Sequence, residues 1–180
     1  GITTLLNAAY NRSDAVFIIA DNRTTAMTGM QEHPATGYTL QGEKARELDF
    51  AALGKVLGVE SVEVIDPLQF KNTTDVLKRE LQKDGPSLII SRSPCVLLMS
   101  KKAVRAKHFF TDPDKCIGCK VCLSCGCPAI SWRDFEKTGM PARPDRKKQK
   151  GIAVIDATLC TGCTLCAQLC RQEAIMREGE

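Results

Sequence analysis

CIGCKVCLSCGCP (residues 116–128) packs five cysteines into one short stretch, and CTGCTLCAQLC (residues 160–170) holds four more. The second array spaces Cys160, Cys163, Cys166 and Cys170 as C-x2-C-x2-C-x3-C. The first spaces Cys116, Cys119 and Cys122 as C-x2-C-x2-C, then offers Cys125 and Cys127, the latter followed by Pro128. Three closely spaced thiolates wrap one face of a cubane iron–sulfur cluster and leave a fourth to come from elsewhere. Structural zinc uses paired C-x2-C knuckles, often with histidine. Here both arrays are triplets, and the two histidines, His33 and His108, lie outside them. Triplets of C-x2-C are also poor geometry for disulfides, which would need an oxidising compartment. The spacing therefore predicts iron–sulfur clusters.

The flanking sequence agrees. FFTDPDKC (109–116) and GIAVIDATLC (151–160) each place a short strand and an Asp-containing turn ahead of an array. VCLSC (121–125) and LCAQLC (165–170) can each make a helical turn, while PAISW (128–132) and EAIM (173–176) supply strands to pair with the leading ones. Residues 109–180 resemble the bacterial-type 2[4Fe–4S] ferredoxins, a small α+β fold, except that Arg171 replaces the usual proline. In that family the fourth cysteine of each run ligates the other cluster. The resemblance implies one cluster on Cys116, Cys119, Cys122 and Cys170, and a second on Cys160, Cys163, Cys166 and Cys127. The proline after Cys127 favours it, with Cys125 close enough in sequence to compete. Between the halves, RDFEKTGMPARPDRKKQK (133–150) reads as a solvated loop. Its Arg143, Arg146, Lys147, Lys148 and Lys150 could alternatively attract an acidic electron acceptor.

Further out, the chain has 180 residues, 43% of them hydrophobic, with a net charge of +4 that does not argue for nucleic acid. No apolar run approaches the ~18 residues of a membrane span. Residues 1–108 follow α/β rhythm: GITTLLNAAYN is helical, AVFIIAD reads as a buried parallel strand, and DFAALGKVLG is helical. SVEVID follows as a strand, TTDVLKRELQKDG as a helix ended by Gly85, and PSLIISRS as a strand. Such alternation predicts a mostly parallel sheet covered by helices, with ligands beyond the strands' carboxyl ends. AVFIIAD leads directly into DNRTTAMTGMQEHPATG (21–37), where Asn22 and Thr24 can offer two neighbouring oxygen ligands to magnesium.

DNRTTAMTGMQEHPATG resembles the thiamine diphosphate-binding segment of the 2-oxoacid:ferredoxin oxidoreductases. Within that family the alpha subunits of the indolepyruvate type are most similar, also over DFAALGKVLGVESVEVIDP (49–67) and GPSLIISRSPC (85–95). The resemblance covers essentially the whole chain. It assigns 1–108 to the C-terminal part of a thiamine diphosphate-binding domain and 109–180 to the ferredoxin-like domain. It implies that Asn22 and Thr24 hold magnesium and that Thr28, Gly29 and Gln31 lie along the cofactor, with Met30 where several relatives have glycine. The family's Gly-Asp magnesium turn would precede the helix at Gly1, and the domain supplying the activating Glu is another part of the protein. The 180 residues alone are accordingly expected to be inactive. Catalytic residues are not identifiable in this stretch.

The resemblance implies oxidative decarboxylation of an aryl pyruvate with coenzyme A, electrons leaving through two [4Fe–4S] clusters to ferredoxin. The implied partner is a beta subunit, and the air sensitivity of such clusters points to a cytoplasmic setting. Two other readings compete: a freestanding two-cluster electron carrier with a remnant front domain, and a non-redox thiamine decarboxylase. The cysteine arrays argue against the latter, which needs no electron exit. Cys95 reads as a small buried residue, Trp132 as packing in the ferredoxin hairpin, and His33 as structuring its loop or facing solvent. His108 carries no clear signal.

Overall fold

A computed structural model describes residues 1–100, 107–138 and 149–179. The chain divides into two compact units, Gly1–Lys102 and Ala103–Glu180. In the second unit the His108 carbonyl accepts from Glu178 N at 3.0 Å. Of the basic run, residues 143–148 lie outside the described residues, and Lys150 is exposed.

The first unit is a three-stranded parallel sheet of order β1-β3-β2, with β1 at Val16–Asp21, β2 at Ser61–Ile65 and β3 at Ser87–Arg92. Helices α1 (Ile2–Tyr10), α2 (Phe50–Val56) and α3 (Phe70–Glu80) alternate with the strands, and α4 (Val96–Ser100) follows β3. Asp49 caps α2 with its carboxylate, accepting from Ala51 N and Ala52 N at 2.8 and 3.1 Å, and so satisfies two otherwise unpaired helix donors. Strand side chains alternate between two cores. Leu88 and Ile90 pack with Leu5 and Val59, whereas Ile89 packs with Ile65 and Val76 of α3.

Two expectations change. The continuous apolar run of AVFIIAD predicted a buried strand, but β1 is an edge and Ile18 is 56% exposed. The buried strand is β3, whose Ile89 and Ile90 are wholly covered. Its central place leaves both of its faces beneath helices, and only there does an apolar run become fully buried. Helix α3 also starts earlier and ends earlier than expected, at Phe70 and Glu80. Gly85 instead lies beyond it, donating its N–H to Asp14 Oδ1 at 2.7 Å.

The second unit pairs β4 (Phe109–Thr111) antiparallel with β7 (Ile175–Arg177), and β5 (Ile130–Asp134) with β6 (Gly151–Ile155). A 3-10 turn spans Val121–Cys125, α5 spans Phe135–Thr138 and α6 spans Leu165–Leu169. Its core cluster is Phe109, Cys122, Ala153, Cys166 and Ile175, so cysteines stand where a larger domain would place aliphatic side chains. A unit this small is short of apolar burial, and bound metal is the usual supplement.

Candidate cofactor sites

Each cysteine array begins with the same backbone device. Asp112 O accepts from Cys116 N, and Asp156 O from Cys160 N, both at 3.0 Å. The Asp112 and Asp156 carboxylates accept from Asp114 N and Thr158 N, each at 2.7 Å. Both loops then turn through the left-handed region at matched positions, Gly118 with Gly162 and Lys120 with Thr164. Gly118 is obligatory on two grounds: its φ is +72°, and a Cβ there would lie 2.8 Å from Gly151 O. The matched turns give the two loops the same backbone path.

Cys116, Cys119, Cys122 and Cys170 line one narrow cavity, together with Trp132 and Thr111. The second array's Cys170 thus joins the first array's triplet. The buried Thr111 hydroxyl has no hydrogen-bond partner among the described residues. Burial, reinforced by the thiols of Cys116, Cys119 and Cys170, pushes Cys122 up to about 11. In the second group, burial and then Cys125, Cys163 and Cys160 push Cys166 up to about 12. Cys125 also packs against the core that holds Cys122 and Cys166. Cys127 is half-buried and uses its carbonyl to accept from Ile130 N at 3.1 Å.

Among the described residues no three His, Cys, Asp or Glu side chains converge on a single ion. A tetrahedral zinc draws its sulfurs to about 2.3 Å from one point. The donor sets fit iron–sulfur clusters, whose irons would hold as thiolates sulfurs that burial otherwise keeps protonated. Trp132 does pack in its hairpin, with Lys120 Nζ 4.4 Å from its ring centroid, and Gln149 Nε2 ties the array down by donating to Cys116 O at 3.1 Å.

In the first unit the expected cofactor residues lie where β1 ends. Buried Asp21 closes the strand, its carboxylate accepting from Arg92 Nε at 2.8 Å and from Arg23 N at 3.1 Å. The sequence reading passed over this anchor, although Asp21 stands directly before Asn22. The Asn22 carbonyl accepts from Cys95 N at 2.9 Å, and its side-chain Oδ1 from Thr24 N at 3.2 Å. This turn makes the Asn22 side chain and the Thr24 main chain neighbours. Asn22 Oδ1 keeps a second lone pair that could serve a hard cation.

Downstream, Thr25 bridges Gln31, and the Thr28 hydroxyl donates to Gln31 Oε1 at 2.5 Å. Gly29 and Met30 both have positive φ, +115° and +62°, so Met30 holds the conformation a glycine would adopt freely. Asp21, Asn22, Thr24 and His33 share an open cleft of about 440 Å³. His33 also structures its own loop, Nδ1 accepting from Ala35 N at 3.2 Å. Cys95 is half-buried rather than buried.

Comparison with known proteins decides what this pairing of sites is. Residues 2–91 match the family described as thiamine pyrophosphate enzyme, C-terminal TPP binding domain. The chain belongs to this thiamine enzyme family. Residues 153–176 match the 4Fe-4S binding domain, so both kinds of cofactor domain are present in one chain. Over its whole length the chain is 37% identical to indolepyruvate oxidoreductase subunit IorA of Thermococcus kodakarensis and 38% identical to that of Methanothermobacter marburgensis. It spans 27% and 26% of those relatives' own length. A third of it is 33% identical to Ferredoxin-3 of Nostoc sp.. Among the described residues no helix is long and apolar enough to cross a membrane.

Proposed function

We propose that the chain is the cofactor-binding and electron-exit portion of a subunit that oxidatively decarboxylates an aryl pyruvate of the indolepyruvate kind. Coenzyme A receives the acyl group, and electrons leave for an external ferredoxin. The reading is carried by one observation: a thiamine pyrophosphate-binding domain and a 4Fe-4S binding domain occur in the same chain. When bound, thiamine diphosphate supplies the electron sink that decarboxylation of a 2-oxoacid requires. Asn22 and Thr24 would hold magnesium, and Thr28, Gly29 and Gln31 would line the diphosphate cofactor.

The second unit supports the redox half. Cys116, Cys119, Cys122 and Cys170 would hold one [4Fe–4S] cluster and Cys160, Cys163, Cys166 and Cys127 a second, which would supply one-electron transfer. A beta subunit completes the enzyme, in a reducing cytoplasm. A freestanding electron carrier is the second reading, favoured by the likeness of one third of the chain to a ferredoxin.

The test is anaerobic turnover of the whole protein with indolepyruvate, coenzyme A and a viologen dye. Dye reduction in step with carbon dioxide release is expected. Carbon dioxide release without dye reduction would leave a non-redox decarboxylase, and neither event would leave an electron carrier.

A further inference from the structure

His33 is fixed in place from both directions along the chain. Before it, Gln31 O accepts from Thr25 N at 3.0 Å; after it, Pro34 O accepts from Leu48 N at 2.9 Å, and Ala35 is 1% exposed. The histidine's own backbone N–H donates to Thr36 Oγ1 at 3.2 Å. Its carbonyl accepts from Thr36 N at 2.9 Å and from Thr36 Oγ1 at 2.8 Å. The ring is held as well, since Nδ1 accepts from Ala35 N at 3.2 Å. An accepting ring nitrogen carries no proton, so the imidazole N–H belongs to Nε2.

That N–H is the part of His33 its loop does not use. Nε2 makes no hydrogen bond among the described residues, while the backbone groups and Nδ1 all do. His33 lines the open cleft shared with Asn22 and Thr24, beyond the carboxyl end of β1, where open α/β sheets bind their ligands. Asp21 is the charged residue of the cleft's lining, and its carboxylate is already paired with Arg92 Nε at 2.8 Å. An anion entering the cleft therefore meets a donor and no uncompensated negative charge. A hydrogen bond from a ring N–H to an ionised oxygen is one of the stronger kinds.

From this geometry we infer that His33 is a ligand-binding residue whose Nε2–H donates to an anionic oxygen in the cleft. The proposed reaction brings two such oxygens, a phosphate of thiamine diphosphate and the carboxylate of the 2-oxoacid. The loop orders the ring before either arrives, which spares the contact its ordering cost. A histidine serving the loop alone would need only Nδ1, and the two nitrogens can be tested separately. Asn carries Oδ1 one bond beyond Cγ, as imidazole carries Nδ1, so it can accept from Ala35 N while offering nothing further out. Gln carries an N–H donor at the ε position, in the manner of Nε2, and no acceptor at the δ position.

The inference rests on the thiamine diphosphate reading, and one set of titrations separates the two. Binding of magnesium–thiamine diphosphate to the whole protein is measured by anaerobic calorimetry, and KM and kcat are measured with indolepyruvate. The unaltered protein is compared with its His33→Asn and His33→Gln variants. No cofactor binding by the unaltered protein would sink the thiamine reading and take the inference with it. Given binding, His33→Asn should weaken one ligand by about ten- to a hundredfold, the range for a hydrogen bond to a charged group, and His33→Gln by clearly less. A raised cofactor Kd identifies the phosphate as the acceptor; an unchanged Kd with a raised KM identifies the substrate carboxylate. No change in either constant for His33→Asn, or a loss in His33→Gln as large as that in His33→Asn, overturns the assignment, because the loop and not the donor would then be what matters. Should His33→Asn fail to fold, His33→Gln decides alone: near-normal constants support the donor role, and a loss of about tenfold or more refutes it.

Discussion

Glu80 shows how far a single residue can depart from its type. It sits on α3 yet is 1% exposed, against the rule that carboxylates face water. Burial alone would raise its pKa. Hydrogen bonds from Lys83 at 2.8 Å, from Ser61, from Ser87 at 3.0 Å and from Arg79 at 3.0 Å outweigh that and carry it from 4.5 down to about 2. The folded group is the stronger acid, so its contribution to stability is complete above the unfolded value. It is lost as pH falls from about 4.5 through about 2. Glu80→Ala takes the shared acceptor from Ser61, Ser87, Lys83 and Arg79, and should destabilise by about 2 kcal/mol at neutral pH. In urea titrations at pH 7 and pH 2.5, the variant's deficit should shrink sharply at the lower pH. An unchanged deficit would mean that lost packing, and not charge, is responsible.

At the scale of elements, the β5–β6 hairpin holds the first array from behind. Gly151 pairs with Asp134 at its end, and a Cβ on Gly151 would fall 2.2 Å from Arg133 O and 2.8 Å from the Trp132 ring. The backbone oxygen cannot move without breaking the ladder. Gly151→Ala should therefore cost about 3 kcal/mol, despite alanine's lower entropic cost on folding. It should also spoil the Trp132 wall of the first thiol cavity. Chemical denaturation followed by tryptophan fluorescence reads this directly, since Trp132 is the chain's one tryptophan. A change under 1 kcal/mol would show the hairpin to be more pliable than its contacts imply.

At the scale of the molecule, each unit has its own core. The first is aliphatic, built on Leu88, Ile89 and Ile90, and the second is part cysteine. Iron should therefore matter to one unit and not to the other. Anaerobic treatment with a strong iron chelator should red-shift Trp132 emission and remove the second unit's thermal transition, leaving most of the helical circular dichroism of α1, α2 and α3. Parallel loss of the helical signal would contradict the separation of cores.

The sequence by itself determined the elements and the chemistry of the two ends. Apolar runs and alternation marked every named strand, and eight of nine clustered cysteines at ferredoxin-like intervals marked the expected metal donors, because period and spacing are local properties of a chain. Tertiary structure decided what depends on neighbours. Strand order β1-β3-β2 made PSLIISRS, and not AVFIIAD, the buried strand, since an apolar run cannot declare which strands flank it. The same holds for the cysteines. Spacing groups Cys116, Cys119 and Cys122 locally, but only the fold lines the same cavity with Cys170 from the second array.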